Sequence, residues 1–244
     1  MQSVCYSKIN RRKKGVLSNK IKKCMKKIFH QYKHAWVLLY FFIYLIWFFY
    51  LNQMTADSFH PIEVPLDASI PFIEAFIVPY YLWFPYIPLT IFYFFFTSKK
   101  EYYQCTAFLF IGMTICLIIY SIYPNGVYFR PDLDALGRDN LFISLTKIIY
   151  DIDPGTNVCP SIHSFNSIGA YIAIHKSEKL KKYHWVRILS FLLTVSICLS
   201  TVFIKQHSIF DVYMAMILAA VMYLLVYKVN YRNLGKKLKL QKAN

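Results

Sequence analysis

The sequence is poor in charge, glycine and paired cysteines. Charged residues make up 16% of the 244-residue chain, where ordinary soluble domains carry about 25%. With 7 Gly and 10 Pro, it is not a fibrous protein. The six cysteines (Cys5, Cys24, Cys105, Cys116, Cys159 and Cys198) form no Cys-x-x-Cys pair. A zinc or thiol-redox motif and a disulfide framework are therefore unsupported, and the six read as small buried or cytoplasmic thiols. There is no internal repeat and no low-complexity linker. What is present is apolar surface: 57% hydrophobic residues, with 21 Phe and 21 Tyr. A water-soluble fold of this size could not hide them, and a disordered chain would not contain them. The net charge of +16 suits either nucleic acid or a membrane surface, and its distribution favours the membrane.

A helix needs about 20 apolar residues to cross the hydrocarbon core. Six segments qualify or nearly do: roughly Ala35 to Leu51, Phe72 to Thr97, Cys105 to Ile122, Ser161 to Ile174, Trp185 to Ile204 and Ser208 to Tyr227. The fourth is short and rich in small and hydroxyl residues, and the charge count is what requires it. With six crossings, 24 of the 28 Lys and Arg fall on one side, leaving Arg130, Arg138, Lys147 and Lys205 on the other. Basic loops stay in the cytoplasm, so both termini are expected there. The acidic residues mirror this, with Asp57, Glu63, Asp67, Asp132, Asp134, Asp139, Asp151 and Asp153 all in outer loops. The expected fold class is thus an all-α integral membrane bundle of six transmembrane helices. Its expected parts are a basic cytoplasmic segment over 1–34, a membrane domain over 35–227 and a basic cytoplasmic tail over 228–244. The basic N-terminal run reads as a topology determinant that touches anionic lipid and forms an amphipathic surface helix, rather than as a nucleic-acid arm. It is too long for the start of a cleaved signal, and no small-residue cleavage site follows. Pro79, Pro85 and Pro88 should kink or break the second span. The short apolar stretch Leu141 to Tyr150 fits the membrane interface.

Ionisable residues at the ends of spans are costly and are functional candidates by default. Three groups converge on the outer face: Tyr128-Phe129-Arg130-Pro131, then Cys159-Pro160-Ser161-Ile162-His163-Ser164, then Lys205-Gln206-His207 with Asp211. His207 and Asp211 are four apart and share a helix face. The carboxylate can fix the imidazole tautomer and leave the other nitrogen free to attack. His163 stands at the opening of a helix whose N-terminus attracts anions, where it could protonate a leaving oxygen. Ser161 suits an N-cap or a phosphate donor. Arg130 can grip two phosphate oxygens, whereas Lys205 offers a point charge. The bland alternatives are a self-satisfied His–Asp pair, a hydrogen-bonded interfacial histidine, a plain cap, and cations that anchor the spans to headgroups.

The set resembles the type 2 phosphatidic acid phosphatase superfamily of membrane lipid phosphatases and phosphotransferases. That family carries Lys-x6-Arg-Pro, then Pro-Ser-Gly-His, then Ser-Arg-x5-His-x3-Asp. Arg130-Pro131 matches the end of the first motif, and Pro160-Ser161-Ile162-His163 matches three of four positions of the second. Ser200, His207 and Asp211 match the third with both spacings kept. The resemblance implies His207 as nucleophile through a phosphohistidine, Asp211 orienting it, and His163 protonating the leaving alcohol. Arg130 and Ser161 would hold the phosphate, with no metal and no cofactor. The sequence departs at Tyr123 for the first-motif Lys, Ile162 for the Gly and Thr201 for the third-motif Arg. Lys205 is a candidate replacement for one lost cation. Such departures also look like the sphingomyelin and inositol phosphorylceramide synthase branch, which passes the phosphoryl-alcohol group to a second lipid.

The leading expectation is a lipid phosphatase of the outer face of a cell membrane, in a bacterial plasma membrane, acting on a lipid phosphomonoester or diphosphate such as phosphatidate or an isoprenyl phosphate. A phosphotransferase and a non-catalytic lipid-binding relative are the alternatives. The expected partners are a lipid phosphate substrate and membrane lipids, with no nucleic acid. The aromatic density from Tyr80 to Phe96 has no functional explanation at this level.

Overall fold

The computed structural model of the chain describes residues 23, 25–27, 30–54 and 58–229. Most of the basic N-terminal segment, the tail from 230 onward, Asp57, Cys5 and Cys24 lie outside the described residues. The chain divides into two compact units, Met1–Phe41 and Phe42–Asn244. The described part of the first contains a 3-10 turn over Lys33–Leu39. The candidate site residues all belong to the second.

Among the described residues the helices are α1 (Tyr40–Met54), α2 (Pro65–Ser69), α3 (Ile77–Thr97), α4 (Lys99–Ile122), α5 (Leu141–Ile152), α6 (Ile162–Lys176), α7 (His184–Phe203) and α8 (Ile209–Tyr223). A π turn, Leu224–Lys228, prolongs α8. Five helical stretches are long and apolar enough to cross a membrane: Lys33–Met54, Glu74–Thr97, Lys99–Ile122, His184–Phe203 and Ile209–Lys228. Their outward residues are apolar and exposed, for example Ile46, Leu89, Ile188 and Tyr213. This is the surface of a membrane protein.

The fourth expected span is helical, as α6, but it is not among those five: its 15 residues reach about 22 Å, short of the ~30 Å hydrocarbon core. The reason is its position. Helix α6 packs against α3, α4, α7 and α8, and Ser164, Asn166, Ser167, Gly169, Ala170 and Ala173 on it are buried. A helix walled in by other helices need not be apolar toward lipid, so hydropathy alone underrates it. Its close approach to α4 depends on two glycines. A Cβ on Gly112 would stand 1.9 Å from Phe165 Cζ, and one on Gly169 would stand 2.6 Å from Phe108 Cε1. The two rings stack at 5.2 Å and 14°, so neither can retreat freely. Gly112→Ala should therefore cost about 2–3 kcal/mol in overpacking, more than the ~1 kcal/mol gained in helix propensity. Thermal unfolding should show a Tm about 2–6 °C lower; an unchanged Tm would mean the packing is looser than described.

Helix α3 does not break at its prolines. It runs continuously through Pro85 and Pro88, while Pro79 sits in the first turn, where a missing N–H costs little. Packing holds it in place: the Tyr86 hydroxyl pairs with Ser190 Oγ at 2.7 Å and Thr194 Oγ1 at 3.3 Å on α7.

Short pairings gather the loops at the histidine end. The parallel strands β1 (His60–Pro61) and β2 (Asn125–Gly126) join residue for residue, and Gly126 also bridges to Thr156. The stretch Leu141–Ile152 folds as the amphipathic α5. It buries Ile143, Thr146 and Ile149, exposes Leu141, Ile148 and Ile152, and packs on α3.

Candidate active site

The turn between α7 and α8 presents His207. The N–H groups of Gln206 and His207 both donate to the Thr201 carbonyl, at 2.9 and 3.0 Å. This closes the turn around Lys205, whose φ is 58°. Ser208 caps α8 by accepting from Phe210 N, while Asp211 Oδ2 accepts from Ser208 N at 3.0 Å. The same Oδ2 lies 3.3 Å from His207 Nδ1. Asp211 is thus held by the helix start it caps, and it leaves Nε2 of His207 free of the carboxylate.

That nitrogen faces His163 Nδ1 at 3.3 Å. His163 stands in the first turn of α6, whose start is fixed from several sides. Ser161 Oγ accepts from Ser164 N at 3.3 Å, and Ser161 N donates to the Asp211 carbonyl at 3.1 Å. Tyr120 donates to the Pro160 carbonyl. The Asn125 side chain accepts from Val158 N and Cys159 N at 2.9 and 2.8 Å. Two rings from α3 enclose the imidazole, with Tyr80 at 4.7 Å and Trp83 at 4.5 Å between centroids. The aromatic density of this span therefore has a local use: it supplies a wall to His163.

Arg130 is half-buried, between the Tyr150 ring, 4.4 Å away, and Gly155, where a Cβ would stand 3.0 Å from the guanidinium. Its Nη2 donates to the Asp153 carbonyl at 2.8 Å and to Gln206 Oε1. Among the described residues its buried Nε has no partner. Burial pulls the guanidinium below its usual pKa while the Asp153 carboxylate resists, and burial raises the Tyr150 phenol against the opposing pull of Arg130. Gln206 in turn donates to Tyr80 Oη at 3.3 Å, and Tyr80 donates to Asp153 Oδ2 at 3.2 Å. One network thus joins Arg130 to the residue before His207 and to the ring beside His163.

The structure brings His163, His207 and Asp211 into one chain, with Ser161 at its base and Arg130 alongside through Gln206. Lys205 is engaged elsewhere. Its ammonium donates to the carbonyls of Asp67 and Ile70 at 2.8 and 2.5 Å and lies 5.4 Å from the Phe129 ring. Burial lowers its pKa, with Asp67 opposing. The divergent positions are also occupied. Tyr123 stacks on His60 at 4.4 Å, and Thr201 turns its hydroxyl back to the Cys198 carbonyl at 2.8 Å. The Ser200 hydroxyl likewise bonds the Ile197 carbonyl. Burial raises the Cys159 thiol, and the Asp211 carboxylate raises it further, so it stays protonated. The four described cysteines are free. Among the described residues no group of three or more His, Cys, Asp or Glu could hold a metal ion.

Sequence reasoning missed Asp67. Its carboxylate is buried and accepts from Ser208 Oγ at 2.6 Å, Ile209 N at 2.9 Å and Val64 N at 2.9 Å. It therefore ties α2 to the start of α8, directly beside His207. It also missed Gln206, Tyr80, Trp83 and Asp153. Only Gln206 carried a signal, being the residue flanked by Lys205 and His207.

The family model of the PAP2 superfamily matches residues 106–234, more than half of the chain. Among the curated proteins and the solved structures compared with it, none matches. The matched region contains Arg130, Ser161, His163, His207 and Asp211, and the chain belongs to the PAP2 superfamily.

Proposed function

We propose that this membrane protein is a lipid phosphate phosphatase working through a phosphohistidine on His207. The observation that carries the reading is the chain Asp211–His207–His163, with 3.3 Å at each contact. Asp211 fixes the tautomer with Nδ1 protonated and stabilises the positive ring as bonding begins. Nε2 of His207 forms a bond to phosphorus while the bond to the leaving alcohol oxygen breaks. His163, protonated, gives its proton to that oxygen. Water then attacks the phosphohistidine, passes a proton to His163, and inorganic phosphate leaves as the P–N bond breaks. Arg130 and the N-terminus of α6 at Ser161 hold the equatorial oxygens. Lys205, spent on two carbonyls, acts by tying the turn to α2 rather than as a phosphate ligand.

The substrate is a phosphomonoester or diphosphate on a lipid of the phosphatidate or isoprenyl type, met at the outer face. Six crossings with both termini cytoplasmic and the histidines outside fit the basic-residue bias, α6 serving as the short sixth crossing within the protein. No metal enters this chemistry. A second reading is favoured by the scarcity of cations: with Tyr123 and Thr201 at the divergent positions and Lys205 engaged, Arg130 stands as the guanidinium of the site. A monoanionic phosphodiester needs less positive charge than a dianionic monoester, which suits transfer to a second lipid alcohol. Phosphate release from a panel of detergent-solubilised lipid phosphates, with chelator present, tests the first reading. Chelator-resistant release is expected. No release from any of them, together with product formation from a labelled phospholipid plus an alcohol acceptor, would move the assignment to the transferase.

Asp67 is assigned as a positioning residue for His207. Asp67→Asn should lower kcat on the order of 10- to 100-fold, as misplacing a catalytic group does, with KM little changed. Equal losses in kcat and folded yield would reduce its role to stability.

A further inference from the structure

The end of the bundle opposite the histidines carries its own polar cavity. Helix α6 runs from His163 to Lys176, and beside Lys176 opens a cavity of about 510 Å³ between the start of α4 and the end of α8. Four lysines from separate segments line it. Lys100 comes from the first turn of α4, Lys176 from the last turn of α6, Lys179 from the turn that follows, and Lys228 from the end of α8. Lys176 and Lys228 reach the same ring, their ammoniums 5.3 and 5.9 Å from the centroid of Tyr223.

Two carboxylates, Glu101 and Glu178, also line the cavity; they leave an excess of two lysines and are not paired with them. Glu101 accepts from Ser177 Oγ at 3.0 Å and from Glu178 N at 2.9 Å. Among the described residues no carboxylate oxygen comes within 4.0 Å of any of the four ammoniums. A single lysine at a helix C-terminus is explained by the helix dipole. Lys179 already donates to the Thr97 carbonyl. Two lysines converging on one ring, with Lys100 at the same space and the positive N-terminus of the 24-residue α4 at its edge, repel one another, and an anion placed there relieves that repulsion. The depth is also informative. Tyr183 and Trp185, both exposed, stand at this end at the start of α7. Such residues favour the headgroup level of a bilayer.

We propose that this cavity binds the phosphate of an anionic phospholipid headgroup in the leaflet at the lysine end, a second lipid site separate from the histidines. Tyr223 and Tyr227 complete its wall.

Thermal unfolding of the full chain in detergent tests this. Micelles doped with phosphatidylglycerol should raise Tm by about 3–8 °C, and micelles doped with phosphatidylcholine should raise it little. The shift should disappear in Lys176→Gln/Lys228→Gln, persist in Lys176→Arg/Lys228→Arg, and persist undiminished in His207→Ala. That last variant separates this site from the proposed catalytic one. A phosphatidylglycerol shift that survives the glutamine pair would overturn the proposal, as would its absence from the wild type. An equal shift from millimolar inorganic phosphate alone, lost in the glutamine pair, would overturn the lipid assignment in favour of free phosphate. Because these lysines lie at the cavity surface, the glutamine pair is expected to fold; its Tm without lipid checks that directly.

Discussion

His207→Ala is expected to lower kcat by at least about 10³-fold on the best lipid phosphate, with KM changed far less. The side chain removed is the one that would form the covalent bond to phosphorus. The groups that would bind ground-state phosphate, Arg130 and the start of α6, stay in place. The fold should also tolerate the change. Asp211 still accepts from Ser208 N, Asp67 still accepts from Ser208 Oγ and Ile209 N, and the Thr201 carbonyl still holds the turn. A Tm within a few degrees of wild type would separate lost chemistry from lost structure. Residual activity within about tenfold of wild type would place the nucleophile elsewhere.

His163→Ala should have a different signature. As the acid for the leaving oxygen, His163 should contribute about 10²–10⁴-fold on an alkyl ester. Its contribution should shrink to below about tenfold on a nitrophenyl ester, whose leaving oxygen is a weak base and departs without a proton. Steady-state rates on the two ester types for wild type and variant give the comparison. Equal losses on both would mean that His163 positions the phosphate or His207 instead of delivering a proton. The enclosure of His163 by Tyr80 and Trp83 makes a vacated pocket at this position, so the same preparations should be compared for Tm.

Much of this architecture was legible before any coordinates. Long apolar runs marked the five helices that are long and apolar enough to cross a membrane, to within six residues at their ends, because a helix facing lipid must be apolar on every outward position. The helix around His163 was the exception. Its Ser164, Asn166 and Ser167 are buried, and hydropathy cannot distinguish a walled-in helix from a polar loop. Pro85 and Pro88 do not break their helix, since proline in a helix is destabilising locally while neighbouring helices and side-chain hydroxyls can hold the segment together.

The site was legible where its members are linked along the chain or by motif spacing. His207 and Asp211 share a helix turn, and His163 stands at a recognisable helix start. Asp67 was not, because its partners Ser208 and Ile209 are 141 and 142 residues away and nothing local marks a buried carboxylate as a cap for another helix. Lys205 illustrates the converse. Its charge and its place two residues before His207 suggested a phosphate ligand, but the left-handed backbone of that residue accompanies a side chain bonded to the α2 segment.

The measurement closest to the central claim is rapid-quench trapping of the enzyme with a phosphorus-labelled lipid phosphate in the presence of chelator, followed by peptide mapping. A transient, acid-labile and base-stable phosphate is expected on the peptide containing His207, and none in His207→Ala. Phosphate release with no labelled enzyme, or label on any other residue, would contradict it.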